Sequence, residues 1–371
     1  MQDHLQSLRD ATHKHPGGRL GALLVLCVCI GLVAPSCDPA PTSPVTFLAG
    51  GFRADVWIED DDGAPELLFL AQKSGTIWVF DFEEGRVLPQ PFATLAVSNA
   101  GEAGLLSIAL SPDFDDDGFV YVLAIVPSPL RGQVIRYRDN GAGLGLNPTV
   151  LVDNLPAAFF RNGGRLAVSP DGTLLIGLGD MGEASRAQAE GDLAGRVLRY
   201  HVDGSLPLDN PFAGSPEYAR GFRDPQGLAI WQPTGGVFLA ERGDVVDEIN
   251  SLKLGKNYGT SIPGGSSAPD VGQRVTTFPA GGGLVALAFH PGTNVPPGYS
   301  GNLFAAFQFD RSVRRVLLSG SLNTTFVAVE PFLTFRDEAP LDLLVLPTGS
   351  ILVATTRAVY RIARQVTVAQ P

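Results

Sequence analysis

The chain has 371 residues, 44% of them hydrophobic and 18% charged, with a formal net charge of −11. That is enough apolar material for a large core, and too acidic a balance to attract a phosphate backbone, so no nucleic acid is expected as a partner. Glycine and proline number 44 and 29; both disfavour helix interiors, so short strands joined by many turns are expected and long helices are not.

Residues 1–37 read as an export signal. Lys14 and Arg19 precede an apolar stretch from Leu20 to Ala34, a length that suits a secretory signal and is short for a membrane span. The following APSC ends at Cys37 and resembles a bacterial lipoprotein cleavage site, with a possible lipid anchor; ordinary cleavage near Ser36 is the alternative. All three cysteines (Cys27, Cys29, Cys37) fall in this leader, so an internal disulfide or a zinc–thiolate site is excluded from the rest of the chain. Residues 38–45 read as a flexible tether, 46–364 as one domain and 365–371 as a tail. The expected location is exported: periplasmic, anchored to the outer membrane, or extracellular.

Within 46–364 an apolar run ends in proline five times, at Pro112, Pro170, Pro233, Pro291 and Pro347. A second apolar run follows each copy, and an upstream copy, LLFLAQKSGTIWVF (67–80), has the second half only. A long repeat built of short strands means a radial array of small sheets. The expected fold is therefore all-β, a six-bladed β-propeller of four-stranded antiparallel sheets, with units near 50–82, 104–139, 165–203, 226–253, 284–319 and 341–364. The Gly/Pro-rich segments 140–164, 204–225 and 255–283 read as long ligand-facing loops. Any active site is expected on the central axis.

Five segments are more specific than the repeat requires: GEAGLLSIALSPDF (101–114), NGGRLAVSPDGTLLIGLGD (162–180), GRVLRYHVDGSLPLDNPF (195–212), GFRDPQGLAIW (221–231) and DEINSLKLGKNYG (247–259). At these residues the chain resembles the soluble quinoprotein sugar dehydrogenases (glucose, sorbosone and aldose types), a family that includes the propeller of Hedgehog-interacting protein. The resemblance implies a propeller carrying pyrroloquinoline quinone (PQQ) and Ca²⁺ on its axis. A histidine takes the proton of a sugar hydroxyl while hydride passes to the quinone.

Carried over residue by residue, the resemblance places several candidates. The base position, just before NGGR, holds Arg161, and an arginine side chain does not act as a proton acceptor. Asp180 matches the aspartate that orients the base; here its expected partner is Arg161 or Arg165, or it serves as base itself. Arg223 matches an arginine near the quinone, and the family asparagine after it is Asp224. Glu102 falls where a glutamine contacts the cofactor. The metal loop aligns with 241–250, putting Gly243 and Asp244 at the Ca²⁺ and cofactor position, with Tyr258 retained among the cofactor contacts. The cofactor's lysine aligns with Asp310, and an arginine pair with Ala339 and Leu341; Arg311, Arg314, Arg315 and Arg336 lie nearby and read either as substitutes for those cations or, the favoured reading, as an outer-strand polar face. His201 and His290 match no base position. The run Asp113 to Gly118 fits the opening of a Ca²⁺ loop, but Ala124 stands where a glutamate ligand belongs; this run and 59–63 read as acidic turns.

Two functions are expected to compete. One is a PQQ- and Ca²⁺-dependent sugar dehydrogenase with altered site chemistry. The other is a binding propeller for a sugar or other small molecule that has lost catalysis.

Overall fold

Prolines 112, 170 and 233 each follow the first strand of a sheet: Leu105–Leu110, Gly163–Val168 and Pro225–Trp231. The repeat therefore marks where the chain turns back from the innermost strand of a blade. The computed structural model describes residues 67–362 except 83, 85, 261–271, 291–298 and 347–348, together with the backbone of Cys27–Cys29 and Phe47–Phe52. The rest of the leader with Cys37, the tether, the tail, the 59–63 run and Pro291 and Pro347 lie outside the described residues.

Six antiparallel sheets make the six blades of a propeller, five of four strands and one of five. Blade 1 is Phe47–Phe52, Leu67–Gln72, Thr76–Asp81 and Arg86–Val87, with Ala93–Thr94 also on the third strand. Blade 2 is Leu105–Leu110, Phe119–Val126, Arg131–Asp139 and Gly145–Leu155. Blade 3 is Gly163–Val168, Thr173–Leu178, Arg196–His201 and Glu217–Arg220. Blade 4 is Pro225–Trp231, Gly236–Glu241, Val246–Ser251 and Gln273–Pro279. Blade 5 is Leu284–Phe289, Leu303–Phe307, Ser312–Ser319 and Thr325–Thr334. Blade 6 is Pro340–Val345, Ile351–Thr355, Val359–Ile362 and Cys27–Cys29. The innermost strands touch their neighbours in a closed ring.

Each interface between blades is one apolar cluster. Blades 1 and 2 share Phe69, Phe92 and Phe114; blades 2 and 3 share Tyr121, Leu166 and Ile176; blades 3 and 4 share Leu175, Phe222 and Leu239. Blades 4 and 5 share Phe238, Phe278 and Phe307; blades 5 and 6 share Phe304, Leu343 and Val353; blades 6 and 1 close on Leu352, Leu346 and Phe80. A lone sheet of four or five strands cannot bury both its faces, and stacking six around an axis does so.

Two expectations are corrected. The segments read as long loops each hold a blade's outermost strand: Gly145–Leu155, Glu217–Arg220 and Gln273–Pro279. Gly145–Leu155 pairs on one side and buries little, so it tolerates Asn147 and Pro148 and shows no clear alternation. The upstream copy is also complete: its innermost strand is Phe47–Phe52, which lacks the marker proline. Within the leader, Cys27–Cys29 pairs antiparallel with Val359–Ile362 as the outer edge of blade 6. Cleavage of the leader would leave that blade three strands.

The Asp113 run is one helical turn, Phe114–Asp117, ended by Gly118 at φ 65°. Asp117 accepts hydrogen bonds from Ser111 Oγ (2.7 Å) and Phe119 N (2.8 Å). Its carboxylate serves the turn.

Candidate functional site at the propeller hub

Because strands alternate in direction, the segments before each innermost strand and the turns between second and third strands lie on one face. That face gathers Glu102, Arg161 and Arg223 from the first kind of segment, and Asp180 and 242–245 from the second. His201 and His290 lie at the opposite ends of their blades. His201 is exposed, and His290 is buried with Nε2 3.1 Å from Gly349 O.

Backbone contacts hold the site. Asp180 N donates to Arg223 O (2.8 Å), and Met181 N to Arg161 O (3.2 Å). Arg161 N donates to the Glu102 carboxylate, and Arg223 N to the Glu241 carboxylate. Arg161 takes φ 56°, a left-handed conformation that costs a non-glycine residue on the order of 1 kcal/mol and is held only where its surroundings impose it. A Cβ on Gly179 would lie 2.0 Å from Arg161 O, so no other residue allows this approach of the two loops.

Two ionic groups tie these residues together. In the first, Arg161 Nη1 lies 3.5 Å from Asp180 Oδ2 and its Nη2 lies 3.7 Å from Asp244 Oδ1, while Asp244 also pairs with Arg223. Of the two partners expected for Asp180, the structure selects Arg161. Burial, and then the neighbouring Arg161 charge, lowers the Arg223 pKa from its ordinary value. In the second group, Arg242 meets Asp224 at 2.7 Å and Glu102 at 3.0 Å. Burial opposes the Arg242 charge, but these two carboxylates carry its pKa above the ordinary value. Asp224 also accepts from Gly163 N (3.2 Å) and Gln226 Nε2 (2.8 Å), tying blade 3 to blade 4. Beneath them lies Glu241, fully buried, its pKa pushed up to about 8 by that burial.

The expected metal and cofactor residues are placed less favourably. Gly243 N donates to Asp247 Oδ1 (3.2 Å), and Asp247 Oδ2 accepts from Leu284 N (3.1 Å), so that carboxylate is spent on backbone. The Asp244 carboxylate is taken by two arginines. Among the described residues no group of three or more His, Cys, Asp or Glu is arranged to hold a metal. Tyr258 is buried away from the arginines: its ring stacks on Phe222 at 4.9 Å, and its hydroxyl donates to Ser251 O and accepts from Lys253 N. Asp310 pairs with Arg314, whose guanidinium lies 4.1 Å over the Phe307 ring; Arg315 pairs with Glu330; Arg311 donates to Arg336 O. These arginines serve blade 5 and its turns. Leu341 is buried in the innermost strand of blade 6, and Ala339 N donates to Thr356 Oγ1.

Two residues at the hub were not singled out from sequence. Arg242 stands at the variable position of the metal loop, and nothing local marks it. Glu241 was read as the start of that loop; only its burial makes it distinctive.

Comparison with known proteins supplies the family. Residues 61–356 match the family model for glucose/sorbosone dehydrogenase. Quinoprotein glucose dehydrogenase B of Acinetobacter calcoaceticus is 34% identical over 191 residues, covering 43% of this chain and 40% of that protein. Human Hedgehog-interacting protein is 28% identical over 218 residues, covering 49% of this chain and 31% of that protein. The chain thus spans less than half the length of either relative. The PQQ-bound aldose sugar dehydrogenase of Streptomyces coelicolor superposes with a TM-score of 0.68 at 28% identity, over 77% of this chain and 84% of that one. The chain belongs to the glucose/sorbosone dehydrogenase family.

Proposed function

We propose that this member of the family binds a small polar, sugar-like ligand at the hub and does not oxidise it through a quinone. The observation that carries this reading is the pairing of Arg161: a guanidinium occupies the base position, set between Asp180 and Asp244. The family's cofactors are a poor fit to the described residues. PQQ carries three carboxylates and needs uncompensated cations, whereas Arg161, Arg223 and Arg242 together face four carboxylates, Glu102, Asp180, Asp224 and Asp244, and Arg165 is paired with Asp342. The loop aligned with the Ca²⁺ site has its carboxylates committed to arginines and backbone N–H groups.

The competing reading is a PQQ-dependent sugar dehydrogenase with altered chemistry, using Arg223, Asp180, Glu102 and 241–247. It is favoured by the family and by the gathering of three guanidiniums at one hub. Adding PQQ and Ca²⁺ to the purified protein separates the two. The expected result is no quinone absorbance change at micromolar PQQ and no aldose-dependent dye reduction, with Arg161→His equally inactive. Quinone binding with turnover in the wild type makes the protein an enzyme; turnover only in Arg161→His shows that the base alone was lost.

We further propose that the protein is exported, on the strength of the charged and apolar leader. Among the described residues no helix is long and apolar enough to cross a membrane. The mass of the mature amino terminus is expected to show cleavage within APSC. An uncleaved chain refutes export by this route, and a diacylglyceryl mass on Cys37 identifies an anchor.

A further inference from the structure

The geometry points to a carboxylate receptor built from Arg161 and Arg223, in which Asp244 is a displaceable internal anion and whose ligand is a small hydroxy acid of the sugar-acid type. This inference rests on the reading that the hub binds a ligand, and names its chemistry.

The two arginines are fixed and their shared partner is not. Arg161 and Arg223 are held by their own backbone N–H groups on Glu102 and Glu241, and their side chains are 28% and 15% exposed. Asp244 sits in the turn between Gly236–Glu241 and Val246–Ser251, with its side chain 65% exposed. Its neighbour Val245 is exposed as well. Two guanidiniums that share one carboxylate repel each other and favour an anion between them. An exposed aspartate on a short turn is a weak way to supply it, because its own carboxylate stays largely solvated. A ligand carboxylate can take the place of Asp244, pairing with Arg223 Nη1 and Arg161 Nη2, with no change of net charge in the shell beyond the turn swinging to solvent.

The second half of the recognition lies on Asp180. Its side chain is fully buried, and Oδ2 accepts no hydrogen bond among the described residues, although it lies 3.5 Å from Arg161 Nη1. A buried acceptor without a donor is a vacancy for one. Arg161 covers Asp180 from the Asp244 side, so a ligand whose carboxylate replaces Asp244 brings a neighbouring hydroxyl to Asp180 by shifting the partly exposed Arg161 side chain off Oδ2. Carboxylate beside hydroxyl is the chemistry of an aldonic acid. Phe159 and Phe160, exposed and adjacent in sequence to Arg161, supply an apolar rim against which a ligand's C–H face can rest.

Calorimetric titration with D-gluconate, acetate, D-glucose and PQQ tests this on the full chain. The expected result is that gluconate binds, that acetate and glucose bind at least tenfold more weakly, and that Asp244→Asn tightens gluconate at least tenfold by removing the competing anion. Arg161→Gln and Arg223→Gln are expected to lose gluconate binding; Arg161→Lys, which keeps the charge, retains part of it and guards against misfolding. Gluconate no tighter in Asp244→Asn than in wild type overturns the internal-anion role. Glucose binding without gluconate overturns this inference and leaves the binding reading standing. PQQ binding that excludes gluconate assigns the arginines to the cofactor and overturns both, as does no binding by any of the four.

Discussion

Replacing Arg165 with methionine is expected to destabilise the protein by about 3–5 kcal/mol, the cost typical of removing one partner from a buried ion pair. Arg165 rises from the innermost strand of blade 3, and both its terminal nitrogens bond Asp342 on the innermost strand of blade 6. In a ring of six, those blades face each other, so the pair crosses the axis. The same guanidinium donates to Gln226 O of blade 4 and Val285 O (3.4 Å) of blade 5. Both side chains are about nine-tenths buried. Without Arg165, Asp342 is a lone carboxylate in the ring. The Arg165→Met/Asp342→Leu double variant is expected to recover most of the loss, because it removes both charges together. It should fall short of wild type by about 1 kcal/mol for each carbonyl left without its donor. Urea unfolding of the four proteins of the cycle measures this; a double variant no more stable than the singles would show that the two side chains are not coupled.

The second large effect concerns pH. Glu241 is buried against Arg223 N, Thr260 Oγ1 (3.5 Å) and Asn250 Nδ2 (3.4 Å), and burial lifts its pKa to about 8. An unfolded glutamate titrates near about 4.3. Between these values the folded protein holds a proton that the unfolded chain has lost, so stability falls as pH rises. The slope approaches about 1.4 kcal/mol per pH unit and levels off above the folded pKa. Glu241→Gln, which stays neutral, is expected to remove this slope. Melting temperatures of both proteins from pH 5 to 9 test it: wild type should lose stability toward pH 8 while the variant stays flatter. Parallel curves would place a charged, not a protonated, Glu241 in the fold.

Blade number and chain order were readable because each blade needs a turn after its innermost strand, and proline marks it at 112, 170 and 233. The outer strands were not readable. Gly145–Leu155 has one paired edge and mostly exposed side chains, so neither alternation nor composition sets it apart from a loop. At the site, Arg161 could be placed by its position before NGGR, and the pairing with Asp180 was one of two expected.

The amino-acid order alone specified the six-bladed all-β architecture, the family, and the presence of an arginine where a proton acceptor belongs. These depend on local pattern: apolar runs, turn residues and short motifs. How the charges are spent depended on closing the ring. Arg165 and Asp342 are 177 residues apart, and Arg242 and Glu102 140 apart, so no local spacing could pair them. Closing the ring is what brings them within reach. The same closure sets Arg161 and Arg223 around Asp244, because a buried or half-buried charge is satisfied by whichever opposite charge the fold delivers to it, not by its neighbours in the chain.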